Sequence, residues 1–390
     1  MKAEIVHNPQ VVPTLQNAAP TREPLRFHQQ LPDYAPAPLV SLPDVAAALG
    51  VDHVSLKDES WRLGLPSFKI LGASWAIYRQ LTELLGGDAS AWTAFDELKT
   101  QLAPLLPVTL VAATDGNHGR AVAHMARLLG CAAQIFVPSD MAEARIAALK
   151  GAEAQVVVVD GTYDDAVVRS AAAAGPKSIV ISDTAWPGYA DVPRWVIEGY
   201  STMFWEIDDV LAQRAQPQPD LVLVQIGVGA LAAAVIQHYR RPEAHPPTII
   251  GVEPLAAACV LGSLRAGEPI VVPGPHTSIM AGLNCGVPSP IAWPVLIAGL
   301  DAVIAIDDER ARQAMRMLAA AGRVVGETGA AALGGLIELL DNAQSSELRA
   351  RYQINDAAHV LIIATEGATD PQAYAQIVGD TRADRDKKSE

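Results

Sequence analysis

Cysteine is scarce in this sequence: Cys131, Cys259 and Cys285 are the only three in 390 residues. None sits in a Cys-x-x-Cys pair or a zinc-ligand spacing, which argues against a disulfide framework or a structural zinc site. Basic charge is also in short supply, with 29 Lys and Arg against 43 Asp and Glu and a formal net charge of −14. A surface this acidic repels phosphate backbones, so a general nucleic-acid binder is not expected, whereas small anions held by local groups remain compatible. Long apolar runs are missing too. The longest, Leu221 to Ile236, is interrupted by Gln225 and two glycines and is too short and broken for a spanning helix. The start, MKAEIVHNPQVVPTLQ, lacks the charged-then-apolar pattern of a secretory leader. These absences predict a soluble, cytoplasmic protein with neither nucleic acid nor membrane as partner.

What is present is core-forming: 50% of residues are hydrophobic and 18% charged. The length predicts two lobes. Residues 1–40, rich in proline and polar side chains, read as an extended arm. Beyond residue 42, short apolar runs alternate with helical patterns. The runs are 108–114, 132–138, 154–160, 178–183, 221–227, 248–254, 302–307 and 359–367. Runs of this length between helices are the mark of parallel strands buried on both faces. The expected class is α/β, doubly wound, with ligands beyond the carboxyl ends of the strands.

Four strand-end stretches are unusual. In Ser67-Phe68-Lys69-Ile70-Leu71, a lysine falls in the first turn of a helix, where burial and the helix dipole both lower its pKa and favour a nucleophilic amine. A lysine snorkelling at a helix end fits the same stretch. Thr114-Asp115-Gly116-Asn117-His118-Gly119 follows a strand and opens a helix, a place for an anion such as a substrate carboxylate. Asp115 fits a pure anion nest poorly. Gly227-Val228-Gly229-Ala230-Leu231-Ala232 matches the G-x-G-x-x-A dinucleotide fingerprint, and Glu253 ends the next run where a ribose-binding acid is expected. A phosphate at a helix N-terminus, or close strand–helix packing, fits the same loop. Ala364-Thr365-Glu366-Gly367-Ala368-Thr369-Asp370 offers two hydroxyls and two carboxylates at one strand end, and also fits a turn with an N-cap.

Taken together and in this order, these stretches resemble the fold type II, tryptophan-synthase-β-like pyridoxal-phosphate enzymes. The stretches KDES (57–60), TDGNHG (114–119), SDTAWPGY (182–189) and GLNCG (282–286) resemble, within that family, the ammonia-lyases of 2,3-diaminopropionate. The resemblance implies two doubly wound α/β domains with the site between them: 1–77 with 191–390 as the large cofactor-binding domain, and 78–190 as a small inserted one. It implies pyridoxal 5'-phosphate as cofactor and a homodimer. Lys69 is then the lysine that carries the cofactor, Phe68 packs beside its ring, Asn117 bonds its ring oxygen, and Gly227, Val228, Gly229 and Ala230 hold its phosphate. Thr365 is the expected neutral partner of the pyridine nitrogen, which limits the ring as an electron sink and suits β-elimination over transamination.

Thr114, Asp115, Gly116, His118, Asp183 and Tyr189 are the expected substrate-side residues. Asp115 and Asp183 join Lys69 as catalytic candidates, because a carboxylate beside the substrate welcomes a second ammonium group. The implied reaction is α,β-elimination giving pyruvate and two ammonia. A dehydratase of serine, threonine or 3-hydroxyaspartate, and more remotely an NAD-dependent oxidoreductase using GVGALA and Glu253, are the alternatives. Cys259 and Cys285 are expected near each other and reduced.

Overall fold

The computed structural model describes residues 3–15, 20–87, 92–114, 116–242, 246–341 and 345–379. It contains two sheets. The first four-residue run to enter one is β1 (Glu4–His7), followed by β2 (Leu39–Ser41) and β3 (His53–Asp58). Then come β4 (Thr109–Ala113), β5 (Ala132–Pro138), β6 (Gln155–Val159) and β7 (Ser178–Val180). The chain closes with β8 (Leu221–Gln225), β9 (Thr248–Pro254), β10 (Ala302–Ile306) and β11 (His359–Ala364). The larger sheet has the order β1-β10-β9-β8-β11-β3-β2 and the smaller β6-β5-β4-β7. Every pairing is parallel except those of the two edge strands, β1 on β10 and β2 on β3. All residues of β8 and β10 are buried, as expected of apolar strands covered on both faces.

The arm is not merely extended. Ile5 and Val6 of β1 pair with Ile304 and Val303, closing the free edge of β10. A short helix, Glu23–His28, follows and is packed by Phe27, which stacks on Tyr78 at 4.7 Å between ring centroids. His28 is fully enclosed and bonds Thr202 Oγ1 at 2.7 Å and Leu71 O at 2.9 Å; burial pushes its imidazole down to about 3, so it stays neutral. Tertiary contact, not local propensity, orders this segment.

Two long helices set the frame of the site. Lys69–Leu84 lies against Asp191–Gln213, and they meet at Gly72 and Gly199. A Cβ on Gly199 would stand 2.5 Å from Leu71 O, and one on Gly72 would stand 2.6 Å from Tyr200 Cε1, so only glycine permits this approach. The helix Lys69–Leu84 also packs on Asn117–Leu129, which follows β4. The boundary expected between residues 77 and 78 thus falls inside a helix that touches both halves.

Beneath this frame lies a buried ion cluster. Lys57 Nζ donates to Glu206 Oε2 at 2.5 Å and to Ala37 O at 2.7 Å. Arg62 bonds both oxygens of Glu59 and both of Glu206, and the Tyr34 hydroxyl donates to Glu206 Oε1 at 2.8 Å. KDES is therefore a structural stretch that ties β3 to the helix Asp191–Gln213. Burial raises the Glu206 carboxyl, but Lys57 and Arg62 outweigh it and hold the group down at about 2. Among the described residues, no helix is long and apolar enough to cross a membrane.

Removing one partner from a buried ion network leaves an uncompensated charge and typically costs about 3–5 kcal/mol. Glu206→Ala should lose stability on that scale in denaturant unfolding. The Glu206 contribution is present above its unfolded pKa and is lost as pH falls toward about 2. The gap between wild type and Glu206→Ala should therefore hold near neutral pH and shrink progressively once the pH falls below the unfolded value of 4.5.

Candidate active site

In the larger sheet, β8 leads outward to β9 and β10, while β11 and β3 lie on its other side. Ligands of such sheets sit where the order reverses, beyond the carboxyl ends of the strands. A cleft occupies that place. Phe68, Lys69, Asn117, Asp183, the loop Gly227–Ala230 and Thr365 all line it. Sequence positions spread over some three hundred residues thus converge.

Lys69 is the first residue of its helix. The segment before it is pinned to the end of β11: Ser67 bridges Glu366, and Phe68 N–H donates to Thr365 O at 3.2 Å. Lys69 Nζ donates to Asp183 Oδ2 at 2.6 Å. The Tyr163 hydroxyl donates to the other carboxylate oxygen at 3.1 Å, and His118 Nδ1 stands 4.0 Å from Oδ2. Asp183 is 5% exposed. Burial alone would raise its carboxyl, but Lys69, His118 and Tyr163 together hold it well below the usual carboxylate range. It is therefore a fixed negative charge facing the lysine. Phe68 packs on Tyr200, with ring centroids 4.7 Å apart.

Four expected substrate contacts do not line the cleft. The Thr114 hydroxyl is fully buried and accepts N–H from Gly116 at 2.8 Å and Gly119 at 3.0 Å, so it closes the loop at the start of Asn117–Leu129. Gly116 faces the stem of Arg145. His118 bonds Ile181 O through Nε2 at 2.8 Å, holding the turn beyond β7. The Tyr189 hydroxyl donates to Val180 O at 2.8 Å and accepts from Ser182 N–H at 3.0 Å, while its ring stacks on Trp186 at 4.1 Å. Tyr189 clamps the turn that presents Asp183 instead of forming the pocket wall. Asp115 lies outside the described residues.

The glycine loop follows β8 directly. Gly229 has φ +99°, and a Cβ there would meet Leu296 Cδ1 at 2.7 Å. The helix it opens, Ala230–Tyr239, presents first-turn N–H groups that favour an anion. Glu253 does not serve a dinucleotide here. It is fully buried, and both its oxygens accept N–H groups, from Val260 and Leu261 at 2.8 Å each, capping the helix Cys259–Ala266. Burial pushes its carboxyl up to about 7 despite those bonds. This overturns the ribose-binding reading and, with it, the sequence argument for an oxidoreductase. Cys259 and Cys285 are buried thiols outside any disulfide, both near Gly227: Cys259 Sγ is 3.9 Å from Gly227 O, and Cys285 Sγ is 3.3 Å from where a Gly227 Cβ would lie.

Several lining residues carried no assigned role in the sequence. Asn117 Nδ2 donates to Glu366 Oε2, whose other oxygen accepts Thr328 N–H at 3.1 Å. Glu366 thus ties the loop after β4 to the end of β11. Gln225, Tyr163, Thr328 and Asn284 complete the polar lining. Of these, Gln225 had a visible signal, a lone polar residue in an otherwise apolar strand. Tyr163 had none, since an aromatic at the start of a helix is ordinary.

Asp183→Asn removes the fixed charge and should lower turnover by about 10²- to 10³-fold, the range for loss of one positioned electrostatic group. Tyr163→Phe keeps the charge and should cost far less; steady-state kinetics on both variants checks the order.

The model of the pyridoxal-phosphate dependent enzyme family matches residues 31–366. The diaminopropionate ammonia-lyase of Salmonella typhimurium is 37% identical over 382 residues, covering 95% of this chain and 94% of that protein. The Escherichia coli K12 enzyme of the same name is 36% identical over 365 residues, covering 90% and 89%. The crystal structure of the Escherichia coli diaminopropionate ammonia lyase in complex with an aminoacrylate-PLP azomethine reaction intermediate superposes with a TM-score of 0.88, at 33% identity and 97% coverage of both chains. A tomato threonine deaminase shares the fold at TM-score 0.70 and 20% identity.

Proposed function

The chain belongs to the pyridoxal-phosphate dependent enzyme family, and we propose that it acts there as an ammonia-lyase on 2,3-diaminopropionate. The observation that carries this reading is near full-length identity with two diaminopropionate ammonia-lyases. The reaction balances as diaminopropionate plus water giving pyruvate plus two ammonia.

The cleft suits the cofactor in charge and shape. A helix N-terminus behind Gly227–Ala230 suits its phosphate, the Lys69 amine its aldehyde, and the Thr365 hydroxyl, a neutral group, its ring nitrogen. When bound, pyridoxal phosphate supplies an electron sink that weakens the Cα–H bond.

The rest is the work of side chains. Lys69, once its amine is free, takes the Cα proton from one face, and Asp115 is the candidate for the other. Asp183 is too strongly ionised to be a good proton donor. Its charge instead suits pairing with Lys69 and with the second ammonium group of a diamine, which separates such a substrate from serine or threonine. Asn117, oriented by Glu366, offers its remaining amide N–H to the ring oxygen. The β-amine departs in its ammonium form, and the 2-aminoacrylate released hydrolyses to pyruvate and the second ammonia.

In this reading, residues 78–190 form a smaller lobe carried between 1–77 and 191–390, whose closure excludes water. A cytoplasmic homodimer accompanies the proposal. Light scattering should then give twice the 41.1 kDa chain mass.

Holo-protein incubated with L- and D-2,3-diaminopropionate should release pyruvate and ammonia in a one-to-two ratio. Turnover of serine or threonine with none of either diaminopropionate would instead make the protein a dehydratase. Gly229→Ala, which forces a side chain against Leu296, should weaken cofactor retention in equilibrium dialysis.

A further inference from the structure

Gln225 has no part in the reaction as described, yet it is the only polar side chain of β8. It is 2% exposed and lines the cleft. Its Nε2 lies 3.0 Å from Ile363 O, 3.2 Å from Thr328 O and 3.4 Å from Gly329 O. Thr365 Oγ1 is its nearest partner, at 2.9 Å. Three of these four groups are main-chain carbonyl oxygens, which can only accept. The opposite amide orientation would set Oε1 against all three, so the fold itself decides which end of the amide faces them.

Gln225 is therefore a donor to the Thr365 hydroxyl. A hydroxyl carries a single proton, and one that accepts from Gln225 must send its own proton elsewhere. Among the described residues, Thr365 Oγ1 has no other side-chain partner, and the residue faces the cleft. We propose that Gln225 is a positioning residue: by donating to Thr365 Oγ1, it turns the Thr365 hydroxyl into a hydrogen-bond donor toward the cleft, so that the pyridine nitrogen of the cofactor meets a donor and stays unprotonated. This rests on the proposed place of Thr365 opposite that nitrogen.

The chemical consequence follows from electron demand. A protonated ring nitrogen pulls the Cα electron pair deep into the ring and opens the way to transamination. A nitrogen held unprotonated would withdraw less, so the Cα electron pair would go into the new Cα=Cβ bond while the Cβ–N pair leaves with the β-amine. Gln225 would thus guard the choice of reaction from one residue behind the contact. A hydroxyl alone can act as donor or acceptor; the glutamine removes the choice.

The test uses holo-protein reconstituted with pyridoxal phosphate labelled with ¹⁵N in the ring. Wild type, Gln225→Met and Thr365→Val are compared by ¹⁵N NMR, with activity followed through prolonged turnover. Wild type should show the resonance of an unprotonated nitrogen. Gln225→Met, which keeps the length but has no N–H, should move it toward the protonated position and inactivate progressively through transamination. A resonance that moves in Thr365→Val but not in Gln225→Met would overturn the role of Gln225 and leave Thr365 in place. A resonance that moves in neither would remove Thr365 from the nitrogen, and both readings would fall.

A protonated wild-type nitrogen also overturns the proposal. If Gln225→Met does not fold or hold cofactor, neutron diffraction of wild-type holo-protein decides. A Thr365 deuteron pointing into the cleft supports the proposal, and one pointing at Gln225 or a main-chain carbonyl overturns it.

Discussion

The ion pair between Lys69 and Asp183 joins the two sheets at their carboxyl ends, and the rest of the site is arranged around it. Lys69 comes from the helix that follows β3 of the larger sheet, Asp183 from the turn that follows β7 of the smaller one. A charge pair this enclosed is stable only when its remaining lone pairs and protons are also engaged. Tyr163 occupies the second carboxylate oxygen, His118 approaches the first, and Tyr189 holds the turn itself. The helix carrying Lys69 is fixed in turn by its close approach at Gly72 and Gly199 and by the ion cluster around Glu206. Side chains far from the chemistry thus bear on where one amine sits.

The acidic balance of the chain acts locally. The cofactor's phosphate suits backbone N–H groups at a glycine loop, which are indifferent to the net charge of −14. Among the described residues two carboxylates line the cleft, and they are engaged differently. Asp183 faces Lys69, whereas Glu366 accepts from Asn117 and from Thr328 N–H. One is placed to meet a cation; the other to hold an amide still.

The parallel strands other than β3, and the placing of Lys69 and the glycine loop at strand ends, were legible, because apolar runs and strand-end glycines are local signals, whereas most of His53–Asp58 is polar or charged. What failed to show was orientation. Thr114, His118 and Tyr189 have the right chemistry and lie close to the cleft in sequence, but turn geometry directs their polar groups into loops. Glu253 matched a spacing and proved to be a helix cap, since both roles place an acid at a strand end. β1 escaped notice because four residues gain strand structure only from the free edge of β10, nearly the whole chain away. The cluster of Lys57, Glu59, Arg62 and Glu206 was half visible: KDES stood out, but its distant partner on the helix Asp191–Gln213 did not.

The proposed chemistry depends on Lys69 being the amine that meets the cofactor. Borohydride reduction of the holo-protein, followed by proteolysis and mass spectrometry, reads this directly. A pyridoxyl group on the peptide containing Lys69, absent from Lys69→Ala, is the result expected. The same group on another lysine, such as the buried Lys57, or on no lysine at all, would contradict it.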